Sequence, residues 1–355
     1  MGEKMMVANK QIILRNHIQG CPKESDFELR TTTVSTEITD HDHHLSKGGV
    51  VFLKNLYLAC DPYMCHLMRP GQLSLSTQGS IVPGSVVRGC GVAKVIKSGY
   101  EGLKEGDYVW GVTGWEEYSW SFEPRKQLIK FRITDDVPLS YYAGILGNPG
   151  LAAYVGWNEM CWAKKGETVY VSSAAGGVGH IVGQFAKMMG CYVVGSASTN
   201  EKVSLLKTKL GFDDAFNYKE GDLRSNLNKC FPRGIDIYFD NVGGEMFDEV
   251  LKRLNINGRV VVCGMISQYN LSEPKGIKNL FSVITKRLSL RGFLVEDYLN
   301  MYYEYAEWAV KKLQENKLVY VEDVIPGLDN AASAFVGMFY GHNTGKRVVA
   351  VAKEE

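Results

Sequence analysis

A short β-branched run, Thr168-Val169-Tyr170-Val171-Ser172, leads into Ala174-Ala175-Gly176-Gly177-Val178-Gly179 and then into an amphipathic, helix-length segment over 178–189. A glycine pattern is weak evidence alone and useful when it joins a strand to a helix. Glycine lets a backbone approach a pyrophosphate closely, and a helix N-terminus offers unpaired N–H donors at the positive end of its dipole. The same rhythm continues down the chain. Cys191-Tyr192-Val193-Val194-Gly195, Ala215-Phe216, Ile235-Asp236-Ile237-Tyr238-Phe239, Arg259-Val260-Val261-Val262-Cys263 and Leu288-Ser289-Leu290-Arg291-Gly292-Phe293 alternate with helix-length stretches such as 201–210. Near-continuous apolar strands alternating with helices predict a parallel sheet covered on both faces. Six in order fit a doubly wound, dinucleotide-binding sheet, an α/β fold.

The flanks read differently. Residues 1–140 are dense in Gly, Pro, Thr and Val. Runs such as Val50-Val51-Phe52-Leu53 and Gly91-Val92-Ala93-Lys94-Val95-Ile96 are bounded by Gly48-Gly49, Pro83-Gly84 and Gly106-Asp107, the texture of a compact all-β unit. After a helix over 302–314, Val319-Tyr320-Val321 and Arg347-Val348-Val349-Ala350-Val351 return to that texture. The expected organisation is a β-rich domain, 1–140 with 310–355, into which a nucleotide domain, 141–309, is inserted. At 355 residues the chain is long enough for two such cores.

Forty basic residues against 39 acidic ones leave a formal net charge of +1, which argues against a nucleic-acid-binding surface while allowing one basic pocket. The eight cysteines form no Cys-x-x-Cys pair, so neither a disulfide framework nor a zinc ribbon is indicated. The first residues lack the apolar run of a signal peptide, and no stretch approaches a membrane span, so a cytoplasmic protein is expected.

The end of the second strand selects the dinucleotide. An NAD site places Asp or Glu there for the ribose 2′-hydroxyl. This chain has Gly195-Ser196-Ala197-Ser198-Thr199-Asn200-Glu201-Lys202. Lys202 offers a cation to a 2′-phosphate and Ser198 a hydroxyl. A charge-assisted bond contributes ~1.5–3 kcal/mol, roughly 10- to 150-fold in affinity, enough to favour NADP. Glu201 argues the other way, unless as a first-turn helix residue it serves the dipole. No metal is expected: Asp40-His41-Asp42-His43-His44 reads as a solvated loop, and Cys60 and Cys65 have no ligand-rich partner segment. The donor expected in place of zinc is Tyr269, in Cys263-Gly264-Met265-Ile266-Ser267-Gln268-Tyr269 after the fifth strand, where ligands sit in such sheets. Asn241, in Asp240-Asn241-Val242-Gly243-Gly244 after the fourth strand, is expected to meet the cofactor.

At these motifs the chain resembles the zinc-independent medium-chain dehydrogenase/reductases, specifically the plant NADPH-dependent 2-alkenal (double-bond) reductase group. The likeness spans almost the whole length. It is carried by Lys54-Asn55-Leu56-Tyr57-Leu58, Cys60-Asp61-Pro62-Tyr63-Met64, Val137-Pro138-Leu139-Ser140-Tyr141-Tyr142, Lys165 through Val171, Gly190 through Ser196, Gly211 through Lys219 and Cys263 through Asn270. The resemblance implies a GroES-like catalytic domain beside a Rossmann domain, NADPH dependence, a homodimer, and reduction of the C=C bond of small α,β-unsaturated aldehydes or ketones. Carried over residue by residue, Tyr269 matches the catalytic tyrosine that steadies the enolate formed when hydride reaches the β-carbon. Tyr63 and Cys90 occupy pocket positions beside it. Gly176, Gly177, Val178 and Gly179, with Ala175, match the pyrophosphate loop, and Ser198 and Lys202 the 2′-phosphate contacts. Pro62, Asn148, Tyr218, Asn241, Cys263, Ser267, Phe293, Val295 and Asn343 match other cofactor-lining positions.

Several positions depart from the group. Cys90 stands where relatives carry tyrosine, Asn148-Pro149-Gly150-Leu151-Ala152 replaces Met-Pro-Gly-Met-Thr, Cys65 replaces an arginine, and Asn200 replaces a second basic residue beside the 2′-phosphate. The lost ring opens space in the pocket and removes a hydroxyl donor. A quinone or cyclic-enone reductase, a dehydrogenase acting on the C–O bond, and a catalytically silent, crystallin-like NADPH-binding protein therefore stand as alternatives.

Overall fold

The computed structural model describes residues 5–38, 49–71, 79–134 and 136–352. In chain order its strands and main helices are β1 (Met6–Leu14), β2 (Phe27–Ser35), β3 (Val51–Ala59), α1 (Met64–Leu67), β4 (Arg88–Ser98), β5 (Tyr108–Gly114), β6 (Tyr118–Ser121) and β7 (Leu128–Phe131). These are followed by β8 (Thr168–Val171), α2 (Gly179–Met189), β9 (Tyr192–Ala197), α3 (Asn200–Thr208), β10 (Asp214–Asn217), α4 (Leu223–Cys230), β11 (Ile235–Asp240) and α5 (Gly244–Arg253). The rest are β12 (Leu254–Val262), α6 (Ile266–Tyr269), α7 (Phe281–Lys286), β13 (Ser289–Gly292), α8 (Tyr302–Gln314), β14 (Glu322–Pro326), α9 (Ala331–Phe339) and β15 (Lys346–Ala350). Two units emerge. The first joins the described residues up to Asn148 with Asp323–His342 and those from Arg347 on; the second is Pro149–Glu322 with Asn343–Lys346.

In the second unit the strand order is β10-β9-β8-β11-β12-β13, with every neighbouring pair parallel. The chain starts in the middle, winds outward one way, then returns to wind the other, so the order reverses between β8 and β11. That reversal opens the crevice where ligands sit in such sheets. The strands are apolar because both faces are covered: every residue of β8 is buried, as are five of the six of β11. One side of the sheet is cemented by aromatic side chains. The rings of Tyr170 and Tyr238 stack at 5.1 Å, and the Tyr170 hydroxyl donates to Ser196 Oγ at 2.8 Å. Helix α2 lies so close to the opposite side that a Cβ on Gly183 would meet the Phe212 ring at 1.9 Å.

The first unit holds a seven-stranded sheet, β14-β15-β3-β4-β5-β7 with β6 also paired to β3, and a separate β1-β2 hairpin pair. Its strands pair antiparallel along β3, β4 and β5. A buried polar knot holds β1 to the β5–β6 turn: Glu116 accepts from Asn9 at 3.0 Å, Gln11 at 2.6 Å and Ser119 at 2.8 Å. Burial raises the Glu116 carboxyl above its ordinary pKa against those three donors.

The expected late β-strand at Val319-Tyr320-Val321 does not form; strand structure resumes at Glu322. Side chains of α2 take the place of a neighbouring strand. Gln184 accepts from the Val319 amide at 2.7 Å and donates to its carbonyl at 2.8 Å, while the Val321 amide donates to His180 Nε2 at 3.4 Å. No helix among the described residues is long and apolar enough to cross a membrane.

Candidate active site

The glycine loop after β8 is shaped by its own backbone and by one histidine. Gly176 N–H donates to Ser173 O at 3.0 Å, and Ser173 itself sits at φ +48°. A Cβ on Gly179 would lie 2.5 Å from Ser173 O, so the helix can start this close to the loop only on glycine. His180 Nδ1 lies 2.6 Å from Gly176 O, and its Nε2 accepts from Val321, which fixes a neutral Nδ1–H tautomer. Burial pushes that imidazole down to about 4. The amides of Gly177 and Val178 donate to no acceptor among the described residues. With the start of α2 behind them, they form a cradle suited to a pyrophosphate. The segment Asn343–Lys346 closes one side: Gly345 N–H donates to Ala175 O at 3.0 Å, Asn343 Nδ2 to Gly345 O at 2.8 Å, and the Lys346 methylenes cover Gly177.

At the tip of β9, Thr199 caps α3 by accepting from the Lys202 amide at 3.3 Å. Lys202 is buried, and its ammonium donates to Ser198 Oγ at 3.2 Å. Glu201 is occupied locally: its carboxylate bonds its own amide and the Thr199 hydroxyl, which lowers its pKa. Those local bonds place it at the helix start. Tyr218 follows β10 with its amide on Ala197 O at 3.0 Å; partial burial raises its phenol.

The loops after β11 and β12 are tied together. Asp240, fully buried, accepts at Oδ1 from Tyr238 at 2.5 Å, Ser172 at 3.2 Å and the amides of Val242 and Gly243, each at 2.9 Å. Asn241 is held by Ser172, its amide on Oγ at 3.0 Å and its Nδ2 on the carbonyl at 2.8 Å. From the next loop, Cys263 and Gly264 donate to Asp240 O, Ile266 to Asn241 O, and Ser267 Oγ to Val242 O at 2.7 Å. Tyr269, last residue of α6, points back so that its hydroxyl oxygen accepts from Met265 N–H at 3.1 Å. A Cβ on Gly264 would lie 3.4 Å from that hydroxyl and 3.6 Å from Asn241 O, so Tyr269 and Asn241 flank one glycine. Burial, and the neighbouring Asp240, raise the Cys263 thiol to about 12, leaving it protonated and unsuited to nucleophilic work. Phe293 follows β13, its ring in contact range of Gly156, and Val295 opens the 3-10 turn Val295–Met301.

In the β-rich unit, Tyr63 precedes α1 and its hydroxyl lies 3.6 Å from the Sγ of Cys90 on β4. Pro62 O accepts from Cys65 N–H at 3.2 Å within the same turn, and Asn148 begins the helix Asn148–Val155. Cys60 and Cys65 are core residues of this unit. Asp40 and the histidines at 41, 43 and 44 lie outside the described residues. Among the described residues no three His, Cys, Asp or Glu gather as a metal site.

Residues 10–130 match the family of the N-terminal domain of oxidoreductase, and residues 177–313 match zinc-binding dehydrogenase. A 2-alkenal reductase (NADP(+)-dependent) of Nicotiana tabacum is 54% identical over 350 residues, 98% of this chain and 99% of that one. The chain belongs to the medium-chain dehydrogenase/reductases, in the plant 2-alkenal reductase group. A (+)-pulegone reductase of Mentha piperita is 50% identical over 98% of this chain and all of its own. Among solved structures, CurA of Vibrio vulnificus in complex with NADPH superposes with a TM-score of 0.85 at 33% identity, covering 97% of this chain and 100% of that one.

The structure brings some of the expected residues into three clusters of the parallel-sheet unit and one pair, Tyr63 and Cys90, in the other. The pyrophosphate cradle (Ala175 to Gly179 with Asn343), the strand-tip pair Ser198 and Lys202, and the Asn241–Ser267–Tyr269 loops each have a built geometry. Three residues escaped the sequence reading: His180, Ser172 and Asp240. They act through buried bonds to other groups, and such side chains carry no motif of their own.

Proposed function

We propose that the chain reduces the C=C bond of α,β-unsaturated aldehydes and ketones with NADPH. The observation that carries this reading is near-full-length identity of 54% to a 2-alkenal reductase in a chain whose Tyr269 hydroxyl flanks Gly264 beside Asn241. Bound NADPH supplies the hydride that the β-carbon accepts. The chain's own residues do the rest. The amides of Gly177 and Val178 receive the pyrophosphate, Lys202 and Ser198 the 2′-phosphate, and Tyr218 and Asn241 line the remainder. Tyr269 donates a hydrogen bond to the substrate carbonyl oxygen as negative charge collects there, and the enolate takes its α-carbon proton from solvent or through the enol. The amide of Met265, already donating to that phenol oxygen, makes it a stronger donor. A positioned donor of this kind is worth ~10²–10³ in rate.

A second reading, bulkier cyclic enones, is favoured by Cys90, which removes an aromatic ring from the substrate pocket of the group. The same proposal has the enzyme working in the reducing cytoplasm, in keeping with cysteines that form no disulfide, as a homodimer. β13 supports the dimer: it is an edge strand, and Leu280, Phe281, Ile284 and Leu294 around it are 48–71% exposed.

The test is NADPH consumption across short alkenals, phenylpropenals, cyclic enones and quinones, with products identified. Saturated carbonyl products support the proposal; allylic alcohols, or tight NADPH binding without turnover, overturn it. Tyr269→Phe should bind NADPH normally and lose at least about tenfold in kcat. Unchanged turnover would remove Tyr269 from the mechanism.

A further inference from the structure

The second strand ends without an acid, yet the structure brings one to its tip from the third. Glu220 closes a turn after β10, its amide donating to Asn217 O at 3.1 Å. Its Oε1 accepts from Asn200 Nδ2 at 2.8 Å and from Asn217 Nδ2 at 2.9 Å, while Asn217 Nδ2 also reaches Asn200 Oδ1 at 3.3 Å. Asn200 is the first residue of α3, flanked by Ser198 and Lys202, and the parallel ladder sets Asn217 opposite Ala197. Two amide donors thus fix a carboxylate at Asn200, two residues along the chain from each of those that would hold a 2′-phosphate.

Resting on the NADPH reading above, we propose that Glu220 is a specificity-determining residue for the 2′ substituent of the cofactor. Its held negative charge opposes the 2′-phosphate, offsets part of the attraction of Lys202, and narrows the preference for NADP(H) over NAD(H). Where a lysine stood at position 200 the carboxylate would have a cation to neutralise it; Asn200 instead bonds it and leaves its charge intact. Glu220 is solvent-exposed, so screening keeps the effect moderate. Repulsion between a carboxylate and a phosphate of charge near −2, several ångströms apart in a water-like medium, amounts to about three- to tenfold in affinity.

Calorimetric titration of NADP⁺ and NAD⁺ into the wild type, Glu220→Gln and Asn200→Lys tests this without turnover. Glutamine retains an acceptor for both asparagines, so the turn is kept. Glu220→Gln should tighten NADP⁺ by about three- to tenfold and move NAD⁺ by less than about twofold, and the gain should shrink as salt is added. Asn200→Lys should act in the same direction. An NADP⁺-to-NAD⁺ ratio unmoved by Glu220→Gln, or equal weakening of both, overturns the proposal while leaving the NADPH reading standing. A wild type that binds neither dinucleotide overturns both.

Discussion

His180 shows how one buried side chain sets the shape of a binding loop. Nδ1–H holds the Gly176 carbonyl inward, so the next two amides face away from it, and Nε2 must stay unprotonated to accept from Val321. An unfolded imidazole takes up a proton near pH ~6.5 and the folded one only at about 4, so in that interval the unfolded chain binds more protons. The stability this residue contributes is complete above the upper value and is lost as pH falls toward the lower. The fall in urea midpoint between pH 7.5 and 5 should therefore be smaller in His180→Gln, which keeps an acceptor and a donor but does not titrate. An equal fall in both proteins would assign the acid sensitivity elsewhere. Residue-scale roles of this sort were legible only where a side chain's place after a strand is itself a pattern. Ser198, Lys202 and Tyr269 stand in recognisable positions along the chain, whereas His180 and Asp240 also depend on Val321 and Ser172, distant partners that only folding brings near.

Elements followed their sequence signals where burial is regular and departed where a side chain could satisfy the backbone instead. The apolar runs of β8, β11 and β12 announced a parallel sheet, and the helix over 302–314 begins and ends as the pattern predicts. Val319–Val321 reads as a strand because it alternates like one, yet its hydrogen bonds go to Gln184 and His180, a choice no local pattern encodes. A comparable tertiary device ends α5. Lys286, from α7, donates to the carbonyls of Lys252 at 2.6 Å and Leu254 at 2.8 Å, and reaches that of Leu251 at 3.4 Å. A cation at a helix C-terminus meets the negative end of the dipole and its orphan carbonyls. Lys286→Met should cost about 1–2 kcal/mol in chemical denaturation, since three acceptors lose a charged donor. A change within about 0.3 kcal/mol would mean that water replaces it fully.

For the whole molecule, the open question is what covers the edge of the parallel sheet. Among the described residues, no strand pairs with the outer side of β13, and Phe281 and Ile284 are each 71% exposed nearby. An exposed strand edge flanked by apolar side chains is a liability unless another chain pairs with it. Sedimentation should give twice the 39.5 kDa chain mass for the wild type. The double variant Phe281→Glu, Ile284→Glu should give the single mass with an unchanged circular dichroism spectrum. A wild type that sediments as a monomer at micromolar concentration would reject the dimer.

The order of residues was enough to specify the doubly wound sheet, the glycine loop ahead of α2, the basic strand tip and the tyrosine after the fifth strand. Each of these depends on periodicity or on residues adjacent along the chain, and local sterics and hydrophobic burial make such features readable. Folding in three dimensions brought Glu220, in the turn after the third strand, to Asn200 just past the tip of the second. It also decided that Asp240 and Ser172 aim Asn241. Those outcomes depend on hydrogen bonds between residues up to 69 positions apart, whose partners are chosen by how the sheet winds rather than by the order of the chain.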